Sequence, residues 1–322
     1  MYAVQLGFTE SHDVQGRLSI ADLFLKSRKR CGIYLLEFDD GLYYIGQAVD
    51  VVRRFAQHRK NYANIARLSF QATHRRDLDA QEQQLIHQAE AIGTPLINKI
   101  HTSYVAGETD LDLLISLDEQ EAWLADPATF AHDTMRIHAY VDEPSRIKYK
   151  YSFQKFQADP RFQRIIELLQ QYIVECVPAY RRTEFSFWSV SCLPSTNHST
   201  YPRLICINMN AMECFVIGYQ KRNPDQIWAF INVAETPIAE TYNTEERFYQ
   251  AHPNTRIALA NYRAGGADQL AIEVTSLEQI SALLNDPTIR TAARELNLRL
   301  MRKGGNLYAR SHCYALADHL IT

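Results

Sequence analysis

The chain has 322 residues, 46% of them hydrophobic and 22% charged, with a formal net charge of −3. It is long enough for two domains and has the balance of a globular protein, not of a disordered or fibrous one. No apolar run reaches the roughly 20 residues a bilayer requires. The N-terminal MYAVQLGFTESHDVQG lacks the basic start and apolar core of a signal peptide. The expectation is a cytoplasmic protein with no membrane partner.

The first 30 residues predict a short helix at Ser19–Lys26, running into the basic cluster Lys26, Arg28, Lys29 and Arg30. Cys31–Gly46, CGIYLLEFDDGLYYIG, then places two apolar-aromatic runs on either side of an Asp-Gly turn. That pattern predicts a hairpin, with Gly41 at the positive φ the turn requires. Asp50 is a suitable N-cap for a helix from Val51 to about Leu68, with Val51, Phe55 and Ile65 facing the core. Arg54 and His58, four apart, share one face of that helix. A second helix, roughly Asp79 to Ile92, stops at Gly93-Thr94-Pro95, and Leu96–Ile100 reads as a short strand or extended segment. The result is a compact ββααβ domain over residues 1–105.

Charge divides the chain unevenly. Residues 1–100 carry 13 Lys and Arg against 11 Asp and Glu, and the remainder carries 21 against 26. Val51–Arg76 has seven bases and no acid, a composition suited to a polyanion but also to a solvated helix face. Ala106–Ser145 holds ten acids against the single base Arg136, and is expected to be an acidic connecting segment, residues 106–145. Residues 146–322 predict a helix at Asp159–Cys176 and then strands at Glu184–Cys192, Arg203–Asn208, Met212–Tyr219, Gln226–Val233, Arg256–Tyr262 and Gln269–Thr275. Helices at Leu277–Leu284, Thr288–Leu298 and Cys313–Ile321 follow. The fold class is α+β: a small sheet-and-helix domain, then a larger antiparallel sheet covered by helices. The six cysteines contain no Cys-x-x-Cys pair, so buried thiols are expected in place of disulfides or a zinc site. His12, His74 and His87 complete no ligand set, His312 and His319 read as structural, and Arg302-Lys303-Gly304-Gly305-Asn306 reads as a turn between helices.

Six residues carry the chemistry. Tyr34 and Tyr44 sit on the hairpin, Arg54 and His58 on one helix face, Glu82 on the next helix and Asn98 just after it. Phosphodiester hydrolysis needs such groups, because water must lose a proton and the crowded phosphate must be stabilised. Arginine's planar fork matches phosphate oxygens. A lone carboxylate can hold a Mg²⁺ that keeps most of its waters. Each residue also has an ordinary reading, as a sheet aromatic, a surface charge, a first-turn acid or a turn cap.

The ordered set resembles the GIY-YIG endonuclease family. Gly32-Ile33-Tyr34 and Tyr44-Ile45-Gly46 match its two name-giving tripeptides, with nine residues between the tyrosines. Its helix arginine falls on Arg54, its histidine or tyrosine on His58, its metal-binding glutamate on Glu82 and its asparagine on Asn98. The resemblance covers about residues 31–100 and departs at Gln47, where a lysine is common. It implies a hydrolase that cuts DNA with Mg²⁺ or Mn²⁺ held by Glu82. Tyr34, as phenolate or through water, would help deprotonate the nucleophile, Arg54 stabilise the transition state, His58 assist proton transfer or bind phosphate, Tyr44 position phosphate or water, and Asn98 brace the site. Arg53, Arg59, Lys60, Arg75 and Arg76 are the expected nucleic-acid contacts. RNA and branched DNA remain open as substrates. Residues 146–322 would recognise a target, a protein partner or a second copy of the chain. The competing expectation is a nucleic-acid-binding or assembly module that keeps the fold without catalysis.

Overall fold

A computed structural model describes residues 2–25, 29–137 and 142–321. Lys26 and Arg28 of the expected basic cluster lie outside the described residues. The chain divides into two compact units, Met1–Glu108 and Thr109–Thr322. Both are mixed α and β, and both sheets are antiparallel throughout.

In the first unit the strands are β1 (Glu10–Asp13), β2 (Gly32–Phe38), β3 (Tyr43–Ala48) and β4 (Ile65–Ala72), in the order β1-β4-β2-β3. Two helices flank them, α1 (Val51–Asn61) and α2 (Leu78–Ala91). β2 and β3 form the expected hairpin, and Gly41 at its turn has φ +84°. Alternation along β2 divides the core in two. Tyr34, Leu36 and Phe38 pack with Val51 and Phe55 of α1, whereas Ile33 and Leu35 pack with Leu85, Ile86 and Ala89 of α2.

The structure departs from the sequence reading in three places here. Ser19–Leu25 is a turn, not a helix, with the Leu23 and Phe24 amides both donating to the Ile20 carbonyl. α1 stops at Asn61, because Tyr62 turns to an extended conformation while its amide still bonds the His58 carbonyl. The residues expected to continue that helix form β4, and Ile65 reaches the core from this strand. β4 lies between β1 and β2, so its partners come from far upstream. The segment after α2 makes a single parallel bridge, Leu96 to Tyr43.

In the second unit a six-stranded sheet runs β5-β6-β7-β8-β10-β9, with β5 Trp188–Cys192, β6 Arg203–Met209, β7 Met212–Gln220, β8 Asn223–Val233, β9 Arg256–Leu259 and β10 Leu270–Val274. One face packs on the helices Phe162–Cys176, Leu277–Asn285 and Pro287–Arg302 in one continuous core. Two helices between β8 and β9, Glu235–Tyr242 and Glu245–Ala251, were not foreseen. All six cysteines are free, five of them buried.

The acidic stretch 106–145 does more than connect. Leu111, Ile115, Trp123 and Phe130 are buried in the core of the second unit. Some of its charges are paired there. Asp112 meets Arg302 at 2.9 Å, Asp133 meets Arg182 at 2.7 Å, and Arg136 grips the buried Glu184. Among the described residues no helix is long and apolar enough to cross a membrane.

Asn98 pins the edge strand β3 from outside the sheet. Its Oδ1 accepts from the Ile45 amide at 3.0 Å and its Nδ2 donates to the Ile45 carbonyl at 2.7 Å. Asn98 is itself buried, so Asn98→Ala strands two backbone groups. We expect it to lower the stability of the first unit by about 3 kcal/mol, read as a shifted urea midpoint.

Candidate active site

Tyr34 lies opposite Gly46 across the hairpin, and Leu36 opposite Tyr44. With a side-chain period of two, both tyrosines therefore rise from the face that α1 covers. Their ring centroids are 6.2 Å apart with planes 29° from parallel. Gly46 makes this arrangement possible. A Cβ there would fall 2.4 Å from the Tyr34 Oη and 2.6 Å from its Cζ. Only glycine lets the Tyr34 ring lie across its neighbour strand.

α1 supplies the next two groups. Asp50 fixes its start by accepting from the Val52 and Arg53 amides at 2.9 and 3.2 Å. Counting from that cap, Val51 and Phe55 turn into the core, while Arg54 and His58 face the tyrosines. The Tyr34 Oη is 2.7 Å from His58 Nε2 and accepts from Arg54 Nε at 3.1 Å. A guanidinium can only donate. The Tyr34 proton is thus not used on Arg54 and is available to His58 Nε2, which accepts it in the tautomer that carries its proton on Nδ1. Tyr44 and Tyr62 enclose the His58 ring, with centroids 4.9 and 6.1 Å away.

Burial sets the protonation states. Tyr34 is 1% exposed and His58 8%. Burial and the neighbouring Tyr44 push the Tyr34 phenol well above its usual 10, and the Arg54 hydrogen bond only partly opposes them. Burial, with the Arg54 charge adding to it, lowers His58 from 6.5 to about 4. Burial also raises Tyr44, partly offset by Arg54. At neutral pH the site thus holds two phenols, a neutral imidazole and one fixed cation.

Glu82 stands on α2, which packs against the opposite face of the sheet. It lies near the start of that helix, beside the end of edge strand β3. There Gln47 Nε2 donates to Glu82 Oε2 at 2.8 Å and also to Asp79 Oδ1. After burial, the Glu82 charge adds a smaller upward push on both the Tyr34 and Tyr44 phenols. Its oxygens are hard donors suited to Mg²⁺ or Mn²⁺. Among the described residues no group of three or more His, Cys, Asp or Glu side chains converges as a metal cage. The donor set fits an ion that one or two carboxylates hold and that keeps several waters.

The expected phosphate contacts separate into two kinds. Arg53, Lys60, Arg75 and Arg76 are exposed, Arg76 beside Asp77 at 3.5 Å. Arg59 is a structural residue instead. It donates to the carbonyls of Val14 at 2.6 Å, Ala63 at 2.7 Å and Ile65 at 3.0 Å, tying α1 to β4. Sequence reasoning did not anticipate the Gln47 bridge or the stacking of Tyr62. The spacing of Tyr62, four residues after His58, was the available signal for the latter. His312 is buried against Glu184 at 2.9 Å and accepts from the Val190 amide. Comparisons with protein-family profiles, with curated proteins and with solved structures find no match.

The buried neutral His58 makes stability depend on pH. Between its folded value of about 4 and an unfolded value near 6.5, the unfolded chain binds more protons. Stability should therefore fall as pH drops from about 6.5 toward 4. His58→Gln should flatten that slope in melts recorded across this range.

Proposed function

We propose that the chain is a metal-dependent endonuclease that hydrolyses DNA phosphodiester bonds through a GIY-YIG site built from Tyr34, Tyr44, Arg54, His58, Glu82 and Asn98. The observation that carries this reading is the buried Tyr34 hydroxyl, hydrogen-bonded at once to Arg54 and to a neutral His58. A hydroxyl between a fixed cation and a proton acceptor is a relay. A water approaching the phosphate can pass its proton to the Tyr34 Oη as the Tyr34 proton moves to His58 Nε2. No free phenolate has to accumulate, which the burial of Tyr34 would oppose.

Arg54 serves two steps. Its Nε orients the phenol, and its remaining N–H groups can meet a phosphate oxygen as charge builds in the transition state. The imidazolium formed at His58 lies beside Arg54, an unfavourable pairing that an incoming phosphate anion relieves. Tyr44, stacked beside Tyr34, can donate to a second phosphate oxygen. Glu82 is the residue that would hold the divalent ion. That ion, when bound, supplies Lewis acidity at the leaving 3′ oxygen. Exposed Arg53, Lys60, Arg75 and Arg76 can follow the nucleic-acid backbone. The second unit, Thr109–Thr322, would contribute target recognition or bind a protein partner or a second copy.

Plasmid nicking in Mg²⁺ tests the reading on supercoiled, single-stranded and branched DNA and on RNA. Tyr34→Phe keeps the ring but removes the relay, and should slow nicking at least about a hundredfold. Glu82→Ala should abolish it. If the wild type nicks none of these substrates faster than Glu82→Ala does, the site is not catalytic and the chain is a binding module.

A further inference from the structure

Gln47 follows the YIG glycine on edge strand β3, and its amide nitrogen is hydrogen-bonded to two carboxylates. Both of its protons are engaged, one with Glu82 Oε2 at 2.8 Å and the other with Asp79 Oδ1. Asp79 and Glu82 are three apart on α2, so they project from one side of its first turns. Like charges at that spacing repel, and a Glu side chain has three torsions through which to swing away. A neutral donor bridging them opposes both tendencies. It holds the Glu82 carboxylate in one orientation and adds no positive charge of its own.

We propose that Gln47 is a positioning residue of this site, fixing the Glu82 carboxylate for a divalent cation, with Asp79 as the anchor that fixes the Gln47 amide. The proposal rests on the nuclease reading and specifies how its metal ligand is held. A lysine at this position would bridge the same carboxylates but would also repel the ion, so glutamine and lysine are not equivalent here. Ligating carboxylates are oriented by outer hydrogen bonds, and losing such a partner typically weakens metal affinity about 10- to 100-fold.

Mn²⁺ titration of the full chain, with free ion read by electron paramagnetic resonance, measures this without any substrate. Wild type should bind one Mn²⁺ that Glu82→Ala loses. Gln47→Leu should weaken that binding about tenfold or more, with its thermal midpoint unchanged. Gln47→Asn keeps polarity but is one methylene too short to reach both carboxylates. It should weaken binding similarly, which guards against a folding defect in the leucine variant. Asp79→Asn still offers the amide an acceptor and should stay within about threefold of wild type. If Glu82→Ala loses the ion while both Gln47 variants bind it as wild type does, the positioning role is wrong and the nuclease reading stands. If the wild type binds no Mn²⁺, the nuclease reading fails and the positioning role fails with it.

Discussion

The first unit is organised around one buried hydroxyl. A phenol can be taken from water only if its oxygen and its proton both find partners. For Tyr34 those partners are Arg54 and His58, on a helix that begins three residues after β3 ends. Several other features serve this pair of bonds. Asp50 fixes where α1 starts, and so decides which residues face the sheet. Gly46 clears the space the ring occupies. Asn98 holds Ile45, the residue before Gly46, by both its backbone groups. Moving any of these by one position would turn a different side chain toward the hydroxyl and leave a buried polar atom unpaired.

Much of this was legible in the sequence, because the determining signals are local. An Asp-Gly turn between aromatic runs, an Asp at a helix start and a four-residue spacing each act within a dozen residues. What was missed depends on distant partners. β4 follows α1 with no proline or glycine between them. Its strand character comes from pairing with β1 and β2, both earlier in the chain. Arg59 sat in a run of bases and read as a phosphate contact, but its guanidinium is spent on three carbonyls. Nothing in its neighbours could reveal that, since Val14 lies 45 residues upstream.

The second unit teaches the same lesson through charge. The strands of its sheet were readable from β-branched and aromatic runs, while the acidic stretch before it looked like a solvated connector. Its acids mask the apolar residues between them. Leu111, Ile115, Trp123 and Phe130 occupy the core, and Asp112 and Asp133 have arginine partners from elsewhere in the unit. Glu184 shows how strongly such pairing can act. Burial alone would raise its carboxyl, yet hydrogen bonds from Arg136 and His312 bring it down to about 2. Net charge along a sequence cannot separate acids facing water from acids that neutralise a distant base.

On the proposed nuclease reading, the site's charge state would confine hydrolysis to a bound substrate. It holds the phenol protonated and the imidazole neutral, and burial together with the Arg54 charge opposes any proton on His58. The relay is thus poised but uphill. A phosphate diester brings a negative charge against Arg54, which offsets the repulsion that His58 would feel on accepting the proton. The charge that builds on the phosphate during attack increases that offset, so the help is greatest in the transition state. On this reading burial does not merely perturb Tyr34 and His58. It would keep the base silent until the anion that needs it is in place.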